Sequence, residues 1–138
     1  MTSDQRIAIV VDPSLPLGLL ANTIATVAIG VGAAEPSFGG TRLTDLSGRC
    51  IRNSADRPVP ILQASGEDIR ALLLKALPAP ETGTVVAFPE FARNLHSFAE
   101  YRDLFPSRDL SSEPIEGLGL AGPAKWVKSL TGALKLLR

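Results

Sequence analysis

The chain opens with an unbroken apolar run. RIAIVVD, Arg6 to Asp12, is rich in Ile and Val, the pattern of a strand covered on both faces. Asp12-Pro13-Ser14 ends it, because proline has no amide proton to give a ladder. The stretch from Pro13 to Ala34 then carries no ionisable side chain. Pro16 suits a helix start. Leu17, Leu20, Ile24, Val27 and Val31 recur at helical spacing and predict one apolar stripe. Gly30, Gly32 and the approaching Pro36 predict its end near Val31. Ala21, Ala25 and Ala28 are small, which permits close packing on a sheet.

The pattern turns irregular from Glu35 to Pro60, with turn signals at Gly39-Gly40, Ser47-Gly48 and Asn53. A short strand is expected within Arg49 to Arg52. PVPILQA, Pro58 to Ala64, reads as a further strand, and its prolines suggest an edge. Ser65 predicts a helix cap, with Glu67 and Asp68 suited to the first-turn dipole. Ile69, Leu72, Leu73 and Ala76 form that helix's inner face, and Pro78 ends it. TVVAF, Thr84 to Phe88, predicts a third strand. Glu90 to Phe105 reads as one helix with Phe91, Leu95, Phe98 and Leu104 inward. EGLGLAG, Glu116 to Gly122, predicts a fourth strand whose glycines imply close backbone approach. Pro123 starts a last helix with Trp126, Val127 and Leu130 on one face, and Leu134 and Leu137 beyond Gly132. This β-α alternation predicts an α/β sandwich with helices on both faces of a mostly parallel sheet.

Composition narrows the class. The chain has 138 residues, 45% apolar and 20% charged, which suits a single globular domain over residues 1–138. Its formal net charge of zero argues against tRNA or other nucleic acid as a partner. One cysteine, Cys50, and one histidine, His96, cannot build a disulfide framework or a Cys/His metal cluster. No metal or cofactor is expected, and a reducing, cytoplasmic setting fits. The neutral run is long enough for a membrane helix. It contains Pro16, Asn22, Thr23 and Thr26, and it lacks flanking aromatic and basic anchors. Asp4 and Asp12-Pro13 disagree with a signal peptide. A buried helix of a soluble domain, with no membrane partner, is the expectation.

Two segments carry a family resemblance: RIAIVVDPSLPLGLLANTIATVAIGVG, Arg6 to Gly32, and LGLAGPAKWVKSLTGALKLL, Leu118 to Leu137. The second is the more specific, with Gly122-Pro123, Val127, Leu130-Thr131-Gly132 and Leu134 to Leu137. Together with PILQASGEDIRALLLKAL between them, they resemble the archaeal and eukaryotic type II peptidyl-tRNA hydrolases. The resemblance implies a three-layer α/β/α sandwich with a four-stranded mixed sheet whose last strand runs antiparallel. That family's first helix presents a lysine, a glutamine and a histidine on one stripe. The matching positions here are Leu19, Thr23 and Thr26, which share a helix face at spacings of four and three. After the third strand, Glu90 stands where the family carries an aspartate. The neutral stripe implies that the hydrolase activity is lost.

Candidate ligand-binding residues are therefore Asp12, Leu19, Thr23, Thr26, Glu90 and Lys125. Asp12 and Glu90 follow strands, where open α/β sheets hold ligands. Asp12 can equally bond its own turn, and Glu90 can serve a helix start. Thr23 and Thr26 can instead bond the carbonyl one turn back. Lys125 stands in the first turn after Gly122-Pro123, a place that attracts anions. For catalysis the candidates are Asp12, Glu90 and His96, with a carboxylate as general base. Gly39-Gly40 and Gly117-x-Gly119 lack phosphate-loop spacing. Three functional classes follow: a small-ligand binding or regulatory module, a hydrolase with altered chemistry on a small ester, amide or aminoacyl/peptidyl-tRNA-like substrate, and a homo-oligomeric structural or interaction protein such as a homodimer.

Overall fold

The computed structural model describes residues 4–138. Its main sheet has five strands in the order β5-β6-β1-β4-β7. These are β1 (Gln5–Val11), β4 (Ile61–Gln63), β5 (Thr84–Pro89), β6 (Ile115–Pro123) and β7 (Lys135–Leu136). A separate hairpin pairs β2 (Arg42–Thr44) with β3 (Cys50–Arg52). Among the described residues there are four α-helices: α1 (Leu17–Ala34), α2 (Gly66–Ala76), α3 (Phe98–Leu104) and α4 (Ala124–Thr131).

The expectation of a mostly parallel sheet does not hold. Only β1 and β4 pair in parallel; β6 runs antiparallel to both β1 and β5, and β7 antiparallel to β4. The sheet also has a fifth strand where four were expected. Past Gly132 the chain leaves the helix, and Lys135–Leu136 add an edge strand. Consequently β4 lies between β1 and β7 and is not an edge. Its prolines precede the ladder, and Pro60 still serves it by accepting the Ile9 amide at 3.0 Å.

Alternation along β1 and β6 sends side chains to two different layers. Ala8, Val10, Leu118 and Leu120 face α2 and α4, where Ile69, Leu73, Ala76 and Val127 complete the larger core. Full burial of one such aliphatic side chain contributes about 1.5–3 kcal/mol. Ser65 caps α2 by accepting the Asp68 amide at 3.2 Å, as its sequence predicts. On the other face, Ile9 and Val11 meet Val27 of α1, while Ile7 and Ala121 meet Val31 and Phe38.

α1 departs from its predicted packing. It extends to Ala34 and buries only Thr23, Val27 and Val31, with Leu20 and Ile24 partly covered. Leu17, predicted to face inward, is 81% exposed, and Ile29 is 72% exposed. One helix cannot wrap its whole circumference against a sheet, so the neutral outer face remains open. Among the described residues, this is the helix long and apolar enough to cross a membrane, with mean hydropathy 1.8 and 17% of that window buried. Its inner stripe is nonetheless fitted to the sheet. A Cβ at Gly117 would lie 2.5 Å from Thr23 Cγ2, and one at Gly119 would lie 2.7 Å from Val27 Cγ1. These glycines let α1 approach the backbone of β6, the close approach read from EGLGLAG.

The single helix expected over Glu90 to Phe105 is broken. Glu90–Asn94 form a 3-10 turn, Leu95 is extended, and α3 starts only at Phe98. Ser97 caps α3 through the Glu100 amide at 3.2 Å. Asn94 and Ser97 compete with a continuous helix because their side chains favour local backbone bonds. The Glu90 amide is also tied to Pro114 O at 2.9 Å. Phe98, expected inside, is 72% exposed. The packed aromatics are Phe91, Tyr101 and Phe105, with ring centroids 5.6 to 6.4 Å apart.

Candidate functional site

Asp12, Glu90 and Lys125 lie in three places, the first two at the carboxyl ends of β1 and β5 and the third at the opposite end of the sheet. Asp12 follows β1 directly. Its Oδ1 accepts from the Ser14 amide at 2.9 Å and the Ser14 hydroxyl at 2.7 Å. This local turn directs the chain into α1. Glu90 opens the 3-10 turn after β5 and is exposed. Lys125 stands in the first turn of α4, after the far end of antiparallel β6. It is therefore separated from Asp12 and Glu90 by the length of the sheet.

Thr23 is completely buried under α1. Its hydroxyl donates to Leu19 O at 2.7 Å and accepts from Arg93 Nη2 at 2.6 Å. Arg93 also bonds Glu116 through Nε at 2.8 Å and Nη2 at 2.7 Å. Its guanidinium lies over Phe88, 4.8 Å from the ring centre. The Arg93 and Glu116 side chains are only 16% and 14% exposed. The triad thus ties three separated segments together by charge-assisted bonds. Leu19 contributes its carbonyl to this arrangement, and its own side chain is partly exposed.

Sequence reasoning missed Arg93 and Glu116. Arg93 falls within the stretch read as a continuous helix, and Glu116 within a strand read for its glycines. They stand 23 residues apart, and no local spacing rule couples such positions. A lone carboxylate inside a buried strand was the available signal, since a buried charge calls for a partner.

Thr26 lies one turn beyond Thr23 and is exposed. Its hydroxyl donates to Asn22 O at 3.0 Å, with Thr23 O at 3.1 Å. It lines an open groove of about 770 Å³ between α1, β5 and the Ala92–Tyr101 segment. Val27, Val86 and Phe88 form apolar walls, and His96, Ser97 and Tyr101 bring further polar groups. Burial pushes the Tyr101 phenol above its ordinary pKa, which keeps it a neutral donor near pH 7. The groove therefore brings together two sequence candidates, Thr26 and His96, and leaves out Asp12, Leu19, Thr23, Glu90 and Lys125. An apolar trough with a few polar groups can orient a small molecule. Among the described residues, no cluster of three or more His, Cys, Asp or Glu side chains could hold a metal ion.

Comparison with known proteins places the chain. Residues 5–138 match the family described as "Protein of unknown function (DUF2000)". The chain belongs to this family. Its DUF2000 match spans every helix and strand described above. No curated protein matches the chain. Among solved structures, the protein of unknown function Atu0240 from Agrobacterium tumefaciens strain C58 shares the fold, with a TM-score of 0.85 at 20% identity. The likeness covers 96% of this chain and 97% of that one.

Proposed function

We propose that this DUF2000 chain is a soluble small-ligand binding module on a peptidyl-tRNA hydrolase II-like fold, without that family's hydrolase chemistry. The observation that carries the reading is the groove between α1 and Tyr101, with its apolar walls and its Thr26, His96, Ser97 and Tyr101 polar groups. It suits a ligand with an apolar body and one end able to exchange hydrogen bonds. The loss of hydrolysis is supported from the α1 stripe. Leu19 has no group to ionise, and the Thr23 hydroxyl is engaged as donor to Leu19 and acceptor from Arg93. Neither supplies a base or a free nucleophile.

The test is a titration of the purified protein with an anilinonaphthalene sulfonate dye, alongside an assay for peptide release from N-acetyl-aminoacyl-tRNA. Dye binding that Thr26→Phe removes, with no release of the acyl group, supports the reading. Release at a rate that Thr26→Phe and His96→Ala both abolish would replace it with an altered hydrolase. Asp12 is a less suitable candidate for such an enzyme because its Oδ1 is already engaged by the Ser14 amide and hydroxyl.

A homodimer is a second reading, favoured by the outer face of α1. Leu17 and Ile29 are 81% and 72% exposed on the uncovered sides of this helix, and large exposed apolar surface marks association sites. Light scattering at high protein concentration tests it: a monomer removes the dimer, and a dimer broken by Ile29→Glu retains it.

A further inference from the structure

The main sheet ends on two unlike edges. One is β7, two exposed residues long, and it carries Lys135. A short edge with a lysine discourages further pairing. The other is β5, whose ladder partner is β6. From Thr84 to Phe88 it has no charged residue and no proline, and every residue is half-buried. An edge strand turns every second residue's N–H and C=O away from its one neighbour. Among the described residues, no backbone bond outside the ladder reaches Thr84 to Phe88. That outward row is open to pairing.

The Tyr101 groove runs along this row. Val86, Ala87 and Phe88 all line it. Yet the Val86 and Phe88 side chains pack toward α1, and that of Ala87 toward the α2 layer. Three consecutive residues with alternating side chains share one groove only where it borders the strand's edge. Across the groove stand Leu95, His96, Ser97 and Phe98. Leu95 and Ser97 are themselves extended, with φ, ψ of -88°, 145° and -150°, 155°. No Asp, Glu, Lys or Arg side chain lines the groove.

We propose that this groove takes an extended, uncharged peptide segment, which adds to the edge of β5 as a further strand. The proposal rests on the reading of the groove as a ligand site and names the ligand's class. Main-chain hydrogen bonds to β5 supply the affinity, and alternate side chains supply the selectivity. Those on the α1 side enter the trough between Thr26, Ile29 and Tyr101, where a neutral apolar lining penalises a charge. Thr84 to Phe88 offers room for five residues, about 17 Å of extended chain. Pro89, without an N–H to give, ends the row. The Leu95 to Phe98 wall across the groove favours one slender strand over the edge of a second whole sheet.

The experiment titrates the full chain with the capped peptide acetyl-Ser-Val-Thr-Val-Ser-amide and with two N-methylated forms. One is methylated at its second and fourth amide nitrogens, the other at its third and fifth. Only one of these sets can face β5, so one form should bind about tenfold more weakly than the other, the scale of a lost hydrogen bond. With the unmethylated peptide bound, outward-facing amides within Val85 to Phe88 should exchange with solvent about tenfold more slowly. Equal affinity of the two methylated forms overturns the proposal, and so does unchanged exchange along β5. Binding of the anilinonaphthalene sulfonate dye without peptide binding at millimolar concentration overturns it too, while leaving the groove a site for another ligand. Absence of both removes the groove reading with it. A free chain that is a dimer by light scattering, with its β5 amides already protected, gives the edge to a second copy and overturns the peptide.

Discussion

Toward α2 and α4, strand β6 presents Leu118 and Leu120; toward α1 it presents Gly117 and Gly119. The first layer is filled by two helices, and its central side chains Ile69 and Leu73 are 0% and 1% exposed. The second is covered by one helix seated on bare backbone, with an open space on each side of it. The same sheet therefore has one face devoted to packing and one that leaves apolar surface accessible. Stability should concentrate on the first face and ligand binding on the second.

The largest expected effect tests that division directly. Leu73→Ala should cost about 2–5 kcal/mol in urea unfolding, because it opens a cavity in a closed core. Ile29→Ala on the outer face of α1 should change stability by less than about 0.5 kcal/mol. Comparable losses at both positions would break the comparison.

Gly119→Ala comes next. Its new Cβ would lie 2.7 Å from Val27 and 2.8 Å from Val31, so α1 must lift from the sheet. Overpacking of this kind costs about 1–3 kcal/mol. Thermal unfolding reads it, and α1 amide exchange should rise faster than that of α2.

The Arg93 triad sharpens the comparison at a buried polar place beneath α1. Arg93→Met leaves Glu116 and the Thr23 hydroxyl without their partner, a loss of about 1–3 kcal/mol. Adding Glu116→Gln should recover part of it, because no carboxylate remains to be desolvated. A double-mutant cycle in denaturant checks the coupling, which additive single effects would refute.

The smallest effect lies outside both layers, on the β2–β3 hairpin. Cys50 is exposed, and hydrogen bonds from Thr44 and then Arg42 hold its thiol pKa below the ordinary value. The thiolate is the reactive form. Iodoacetamide alkylation should reach half its maximal rate at lower pH than for a free cysteine, and Thr44→Val with Arg42→Gln should move that midpoint up. Stability should stay unchanged.

Local pattern carried much of the fold. The run Ile7 to Val11, the capping Ser65 with Glu67 and Asp68, and TVVAF each name an element through their immediate neighbours. The failures share a cause. Pairing partners are distant, so the local pattern reads the sheet as mostly parallel and only the family resemblance pointed to an antiparallel β6, while nothing near Lys135 announces an edge strand. The exposed circumference of α1 is equally silent, because an apolar helix reads the same whether one side or all sides are covered. Of the site candidates, Thr26 and His96 meet in one groove. Thr23 was legible as a position but not as the buried partner of Arg93, since that bond spans 70 residues.

By itself the sequence determined the α/β class, most element positions and the absence of ionisable groups along α1, because these depend on side-chain chemistry and short-range periodicity. Tertiary structure alone decided which face of the sheet each strand residue served, why Gly117 and Gly119 had to be glycine, and how Arg93, Glu116 and Thr23 came to share hydrogen bonds. It also decided that Asn53 Oδ1 is buried without a hydrogen-bond partner among the described residues. Those are properties of atoms brought together from distant parts of the chain, and no single segment contains them.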